Sequence, residues 1–383
     1  MKDMGQTDPD DAPLSRGAMR PAGRLTRLVA SRRFQKWAAK FPLTRRIVRA
    51  EGEAMFDLVA GFCHSQILQA FVRLKMPELL LAHEMTQEAL AIEVAVPPDR
   101  MRVLLAGAVS IGLIKRRKSG HYALSTRGAA LAGVPGLAGM IDHHDVLYMD
   151  LADPVAFFRG EVKTELAEFW PYVFGAGGAT DPKTTATYSQ LMADSQILVA
   201  EDTLAVVDFS NVQVLMDVGG GTGAFLTTVG AANPNVSMML FDLPAVAPAA
   251  WDRFEKAGLT TRADIVSGSF RDDPLPRGAE MISLVRVLYD HADDTVAALL
   301  RAVHDALPDG GQIVISEPMT GGSMPQRAGD AYFAIYCMAM RTGRARSAVE
   351  IADLLIEAGF QDIKAPHARR PFITSVITGV KQS

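Results

Sequence analysis

Residues 216–223 read Met-Asp-Val-Gly-Gly-Gly-Thr-Gly, and an apolar run from Val212 to Val218 leads into them. A helical pattern, Ala224 to Ala232, follows at once. Strand, glycine turn and helix in that order let backbone approach a ligand closely, because glycine lacks a Cβ and tolerates positive φ. The helix N-terminus then offers free N–H groups to a polar ligand. About twenty residues on, Met238-Met-Leu-Phe-Asp242-Leu-Pro244 reads as a second buried strand ending in a carboxylate. An acid at the carboxyl end of the neighbouring strand can accept hydrogen bonds from two ribose hydroxyls. The spacing G-G-G-T-G is not the dinucleotide pattern G-x-G-x-x-G. It points to a nucleoside ligand without a pyrophosphate. A glycine turn alone fits any strand-to-helix connection, and Asp242 alone could be a solvated strand-end acid.

These residues need a sheet to hold them. Apolar runs predict strands at 212–218, 238–243, 264–267, 282–288, 312–317 and 372–380. Between them lie helical patterns such as Val296, Leu299, Leu300, Val303 and Leu307. The alternation predicts an α/β, Rossmann-like doubly wound sheet, with its ligand crevice at the carboxyl ends of the strands. Residues 55–133 read as helices followed by a hairpin. Thr86 is a plausible cap, and Met101, Leu104, Leu105 and Val109 share helical spacing. Two short strands flank Lys118-Ser-Gly120 like the wing of a winged helix. Residues 136–205 read as a helical connector rich in large apolar groups: Phe157, Phe158, Phe169, Trp170, Tyr172, Phe174, Tyr188, Met192 and Ile197. The predicted division is an arm at 1–50, a winged-helix domain at 51–135, the connector at 136–205 and a ligand-binding domain at 206–383.

The series D-V-G-G-G-T-G, F-D-L-P, G-S-F, V-L-Y-D-H-A-D-D and L-P-D-G-G-Q-I-V-I-S-E resembles the class I S-adenosylmethionine-dependent O-methyltransferases. The subgroup is the one with a winged-helix dimerisation domain, and the likeness runs from about residue 55 onward. It implies S-adenosyl-L-methionine as cofactor, a homodimer built through residues 55–133, and a connector that roofs the active site. Around the cofactor it places Asp217, Gly219, Gly220, Gly221, Asp242, Leu243, Gly268, Ser269, Phe270 and Arg286. Ser269 stands where the family carries an acid facing the adenine amine, a contact that Asp272 or water would take over. Phe270 would pack on the adenine.

The catalytic set departs from the family. Its base histidine lies in a V-L-H-D-W-like motif, whereas this chain has Val287-Leu-Tyr289-Asp-His291. Tyr289 holds the histidine position and His291 the tryptophan position. Of two family acids near that base, one is matched by Glu317 and the other is replaced by Ala345. Aligning nucleophile, methyl and sulfur can supply roughly 7–11 kcal/mol, against about 10²–10⁴-fold from a general base, so positioning is expected to dominate. A neutral phenol, with a pKa of about 10, is a poor base. Tyr289 is therefore expected to hold the acceptor hydroxyl and His291 to accept its proton. The plainer alternatives are a core tyrosine and a capping histidine. Arg286 is expected beside the cofactor or paired with a surface acid.

Within the family the likeness is greatest to members that methylate hydroxylated carotenoids, which implies an apolar acceptor. Other readings are a tetrapyrrole carbon or an aromatic hydroxyl as acceptor, or a cofactor-binding regulator without catalysis. Composition sets wider bounds. The chain has 383 residues, 49% of them hydrophobic, and a net charge of −4. That is enough for a large core in two domains, with no bulk charge calling for nucleic acid. Lys115, Arg116, Arg117 and Lys118 on the wing are the one feature favouring DNA. The cysteines are Cys63 and Cys337, which fits a reducing cytosol and offers no metal framework. No apolar stretch of about 18 residues is evident, so no membrane span is predicted. Residues 1–15 are polar and expected to be disordered. Residues 16–49 carry Arg16, Arg20, Arg24, Arg27, Arg32, Arg33, Lys36, Lys40, Arg45, Arg46 and Arg49 without an acid, interleaved with Leu25, Leu28, Phe34, Trp37 and Phe41. Such an arm can lie on an anionic membrane surface or pack on a dimer partner. A cytoplasmic protein, peripheral at the inner membrane at most, is expected.

Overall fold

The computed structural model describes residues 23–169, 193 and 195–382. Trp170, Tyr172, Phe174, Tyr188 and Met192 of the connector, and Arg16 and Arg20 of the arm, lie outside them. The chain divides between Ile67 and Leu68 into two units. The first contains helices Arg24–Ala30 and Arg32–Lys40 and most of Arg45–Arg73. In the second helix Ser31 caps the N-terminus by accepting from Phe34 N, and Trp37 stacks on Phe41 with ring centroids 4.9 Å apart.

Helix Arg45–Arg73 corrects one expectation: it is long and apolar enough to cross a membrane by length and composition. Its acids Glu51, Glu53 and Asp57 interrupt the apolar run, which hides the stretch from a simple scan. Met55, Phe56, Leu58, Val59 and Phe62 on it are exposed.

The second unit opens with helices Met76–Ala82, Gln87–Glu93 and Pro98–Ser110. Thr86 caps as expected, accepting from Ala89 N at 3.3 Å. The buried stripe of the third helix is Met101, Leu105 and Ala108. Val109 faces outward, because the packed face follows the 101/105/108 row. Strands β1 (Ile114–Arg116) and β2 (Tyr122–Leu124) pair antiparallel, Ile114 opposite Leu124, and form the wing. Arg117 on it is held by Glu84 at 2.7 and 3.0 Å. Of the connector, helices Leu137–Asp150, Pro154–Phe158 and Leu166–Phe169 are described, together with helical residues 195–204. Phe157 is buried there, whereas Phe158 and Ile197 are exposed.

The remaining residues form a seven-stranded sheet with helices on both faces. Its strands are β3 (Val214–Val218), β4 (Ser237–Asp242), β5 (Ala263–Ser267), β6 (Met281–Val285), β7 (Gln312–Glu317), β8 (Phe360–Lys364) and β9 (Ser375–Lys381). The order is β5-β4-β3-β6-β7-β9-β8. The first five strands are parallel and β9 runs antiparallel to β7 and β8. Alternation along each strand feeds two cores. Met216, Val218, Ile282, Leu284, Ile313 and Ile315 pack with helices Asp293–Ala306 and Ala348–Glu357. Leu215, Met281, Val285 and Val314 pack with helices Ala224–Ala232 and Ala247–Lys256. Strand order reverses at β3, so the crevice opens between the ends of β3 and β6.

Strand β6 stops three residues short of its predicted end. Arg286 has φ 59°, a left-handed conformation that a non-glycine residue adopts only at a cost of about 1–3 kcal/mol. The chain leaves the sheet there and forms a 3₁₀ turn at Leu288–Asp290. The antiparallel β9 and the edge strand β8 make the sheet mixed rather than wholly parallel.

Candidate active site at the carboxyl ends of β3, β4, β6 and β7

Glycine fixes the first wall. Gly219, Gly221 and Gly223 have φ of 69°, 57° and 72°, a region open to glycine and closed to most side chains. Gly220 is required by space, since a Cβ there would overlap Asp217 Oδ2 and Leu240. Asp242 at the end of β4 accepts from Gly221 N at 2.6 Å and Leu243 N at 2.7 Å. It thereby ties the glycine turn to the neighbouring strand. Burial raises its pKa above the ordinary range.

Asp217 is fully buried near the carboxyl end of β3. Ser283 Oγ donates to its Oδ1 at 2.6 Å, and Oδ2 has no hydrogen-bond partner among the described residues. Burial pushes its carboxyl up to about 7, with Asp242 adding repulsion. An orphaned buried carboxylate oxygen is costly, and beside the glycine turn it suits a polar, cationic ligand.

The loop after β5 forms the second wall. Gly268 N donates to Asp242 O at 2.9 Å. Ser269 Oγ donates to Asp272 Oδ2 at 3.0 Å, and Ser269 N to Asp273 Oδ2 at 2.9 Å. Phe270 lies near Gly219 and meets the His291 ring edge-on at 5.2 Å. The expected cofactor residues therefore gather at one end of the sheet.

The third wall carries the expected catalytic groups. Glu317 ends β7 fully buried, and its Oε2 accepts from Leu288 N at 2.9 Å and Tyr289 N at 3.2 Å. Burial pushes it up to about 7. It braces the 3₁₀ turn from behind. Tyr289 packs with Phe333, Cys337 and Ala345, and its hydroxyl accepts from Arg286 Nε at 3.3 Å. Burial raises the phenol far above its ordinary value. It is a neutral donor with one lone pair engaged.

His291 Nδ1 lies 2.9 Å from Arg271 Nη2. A guanidinium can only donate, so Nδ1 accepts and the neutral ring carries its proton on Nε2. Burial, then the charges of Arg271 and Arg346, hold its pKa down to about 4. In this arrangement His291 has no nitrogen left to take a proton.

Sequence reasoning missed Arg346, which is fully buried. It donates to Leu288 O at 2.8 Å, His291 O at 2.9 Å and Asp293 Oδ1 at 2.6 Å. One guanidinium thus clamps the whole turn that presents Tyr289 and His291. Its neighbour Ala345, expected to stand at a family acid's position, packs with Tyr289. Asp290, half-buried, has its pKa raised well above the ordinary range by desolvation of its carboxyl. The signals available were the R-A-R run at 344–346 and the acid between Tyr289 and His291.

Two family profiles match the chain. One, an O-methyltransferase domain, covers residues 148–361. The other, an O-methyltransferase dimerisation domain, covers residues 56–133. The chain belongs to the O-methyltransferase family. It is 54% identical over 371 residues to the demethylspheroidene O-methyltransferase of Cereibacter sphaeroides, spanning 97% of this chain and 98% of that one. Its identity to the enzyme of the same name from Rhodobacter capsulatus is 50%, spanning 92% and 88%. Among solved structures, human N-acetylserotonin methyltransferase in complex with SAM superposes with a TM-score of 0.73 at 23% identity, over 87% of this chain and 98% of that one. Mitomycin 7-O-methyltransferase gives 0.72 at 21% identity, over 88% and 99%. This O-methyltransferase thus shares the fold of its structural neighbours.

Proposed function

We propose that this O-methyltransferase transfers a methyl group from S-adenosyl-L-methionine to the hydroxyl of a carotenoid of the demethylspheroidene type, in carotenoid biosynthesis. The observation that carries the acceptor assignment is the 54% identity along nearly the full length of both chains. Purified protein incubated with S-adenosylmethionine and hydroxylated carotenoid should yield the methyl ether by mass analysis. No product from a protein that binds the cofactor would sink the acceptor assignment. The enzyme acts as a homodimer through its dimerisation domain, whose match takes in the exposed Phe56, Leu58, Val59 and Phe62. We retain 1–50, 51–135, 136–205 and 206–383 as its functional division.

The residues present fit the cofactor. The orphaned Asp217 Oδ2, the glycine turn, Asp242, Leu243, Gly268, Ser269, Phe270 and Arg286 would hold it. When bound it supplies a methyl group already activated by a sulfonium. Asp242 accepts from ribose hydroxyls, Phe270 offers an apolar face to the base, and Asp217 meets positive charge. Tyr289, held by Arg286, donates to the acceptor oxygen and orients it, while Glu317 and Arg346 keep the turn in place. Most of the rate gain then comes from alignment.

Asp217 gives this site a pH signature. Its acid is neutral below about pH 7 in the free enzyme and ionises above, so affinity for the cationic cofactor should rise from pH 6 to 8 and then level off. Calorimetry should show that rise in the wild type and a flat profile in Asp217→Asn. A wild-type affinity that falls over this range would contradict the assignment. The stability sign is opposite. Burial raises this carboxyl above its ordinary 3.8, so its contribution to stability is full below that value and is lost as pH rises through about 7.

The arm favours a membrane-dissolved acceptor. In the described part, Arg24, Arg27, Arg32, Arg33, Lys36, Lys40, Arg45, Arg46 and Arg49 accompany exposed Leu25, Leu28, Trp37 and Leu43. Each cation near an anionic surface contributes about 1 kcal/mol. We therefore place the enzyme in the cytoplasm, peripheral at the inner membrane. Deleting residues 1–48 should lower association with anionic vesicles. It should also reduce turnover of vesicle-embedded pigment several-fold more than turnover of detergent-solubilised pigment. Equal losses in both assays would argue for a folding or dimer role instead.

A further inference from the structure

His291, the group expected to accept the acceptor's proton, is poorly placed to do so, and the residues around it offer little more. Tyr289 Oη already accepts from Arg286, His291 Nδ1 faces a cation, and Glu317 sits behind the turn, its Oε2 engaged by two backbone N–H groups and its buried Oε1 without a hydrogen-bond partner among the described residues. A second set of titratable groups stands beside them. Helix Leu137–Asp150 carries His143 and His144. Opposite runs the segment Arg327–Phe333, a π-helix, a rare wide turn found frequently at functional sites. His144 Nε2 lies 2.7 Å from Tyr332 Oη, and His143 Nε2 lies 3.1 Å from Tyr336 Oη.

The first pair is the one joined to the active site. Tyr332 packs edge-on against Phe333 at 5.0 Å, and Phe333 packs against Tyr289. Tyr332 also feels the charge of Arg286, the residue that holds Tyr289.

We propose that the Tyr332–His144 pair takes up the proton of the acceptor hydroxyl, in place of the histidine that this chain lacks at position 289. This rests on the proposed methylation of a hydroxyl. The acceptor oxygen accepts from Tyr289, donates to Tyr332 and keeps a lone pair for the methyl carbon. As that O–C bond forms, the C–S bond breaks and its electron pair goes to sulfur. The acceptor's proton passes to Tyr332 Oη while the proton of Tyr332 passes to His144 Nε2. The positive charge of the sulfonium ends on the imidazole, which later releases a proton to water.

Burial holds the pKa of His144 below its ordinary value and raises Tyr332 to about 12. Both groups are therefore neutral at rest and poised for the transfer. His144 faces Tyr332, Tyr148 at 6.2 Å and the adjacent His143. Asp142 and Asp145 on the same helix are paired with Arg73.

His144→Gln keeps a hydrogen-bonding side chain but cannot take a proton. We expect turnover to fall by about 10²–10⁴-fold, with the acid limb of the kcat–pH profile lost and calorimetric affinity for S-adenosylmethionine within about threefold of wild type. Tyr332→Phe should behave alike, and His143→Gln should stay within about threefold of wild-type turnover. Near wild-type turnover in His144→Gln with the pH profile intact would overturn the inference. If the wild type methylates no hydroxylated carotenoid, the proposed function fails instead. A second measurement needs no acceptor. Nitrogen NMR of labelled imidazoles should find His144 protonated on Nδ1 and bare on Nε2, with the Nε2 signal shifted in Tyr332→Phe. A ring protonated on Nε2 could not receive the proton, and that result alone would overturn the pair.

Discussion

Asp242→Ala is expected to weaken S-adenosylmethionine binding by at least about tenfold, and by about 10²–10⁴-fold if both functions of the carboxylate are lost together. In the free enzyme its two oxygens accept from Gly221 N and Leu243 N, so alanine releases the glycine turn from β4. In the complex the same carboxylate is proposed to accept from the ribose. A hydrogen bond to a charged group is worth roughly 1.5–3 kcal/mol, and about 1.4 kcal/mol is a factor of ten in affinity. One lost bond gives the lower bound, and two give the larger figure. The measurement is calorimetry on a variant whose circular dichroism matches wild type. Asp242→Asn should recover part of the loss, since one amide oxygen still accepts. Unchanged affinity in folded Asp242→Ala would remove this residue from the cofactor site.

The ligand-binding end of the sheet was legible because glycine and a strand-end acid leave local marks. Gly220 must lack a Cβ beside Asp217, and Asp242 must follow an apolar run, so both constraints are written in the residues themselves. The carboxyl ends of the strands were harder to locate. β6 was expected to continue to Leu288 on apolarity alone, yet the left-handed Arg286 breaks it. Only the tertiary setting supports that conformation, with Arg286 donating to Tyr289 and to Ser195. Strand β8, Phe-Gln-Asp-Ile-Lys, was missed because it is a polar edge strand with only Phe360 well buried, and Asp362 interrupts its register.

The catalytic wall shows where residue identity stops being informative. That Tyr289 replaces a histidine can be read from the motif. That His291 faces Arg271 from twenty residues upstream cannot, and that contact decides which ring nitrogen carries the proton. His144 and Tyr332 are 188 residues apart, and no spacing rule joins them. The same holds for Arg346, whose partners lie more than fifty residues away.

Arg346→Met is expected to destabilise the protein by about 2–6 kcal/mol and to depress turnover even where it stays folded. The range follows from the two carbonyls it serves. Leu288 O and His291 O are buried acceptors, and losing this donor costs each about 1–3 kcal/mol, with Leu288 O at the lower end because it keeps the His291 N–H at 3.1 Å. The ion pair with Asp293 adds little, because that carboxylate is 59% exposed and solvent screens it. A loss of this size is a large share of the 5–15 kcal/mol that holds a typical domain together. Methionine fills much of the volume, so a cavity does not explain the effect; the missing donors do. Arg346→Lys separates charge from geometry. A single ammonium cannot reproduce the fork that reaches Leu288 O, His291 O and Asp293 together, so lysine should recover less than half of the lost stability. Turnover measured well below the unfolding transition tests the second half of the prediction. The turn at Leu288–Asp290 carries Tyr289, and with this clamp gone and Glu317 bracing it from behind the acceptor should be held less accurately, lowering kcat more than cofactor affinity. Urea unfolding that places Arg346→Met within about 1 kcal/mol of wild type, the range of ordinary substitutions, would show that the clamp is dispensable.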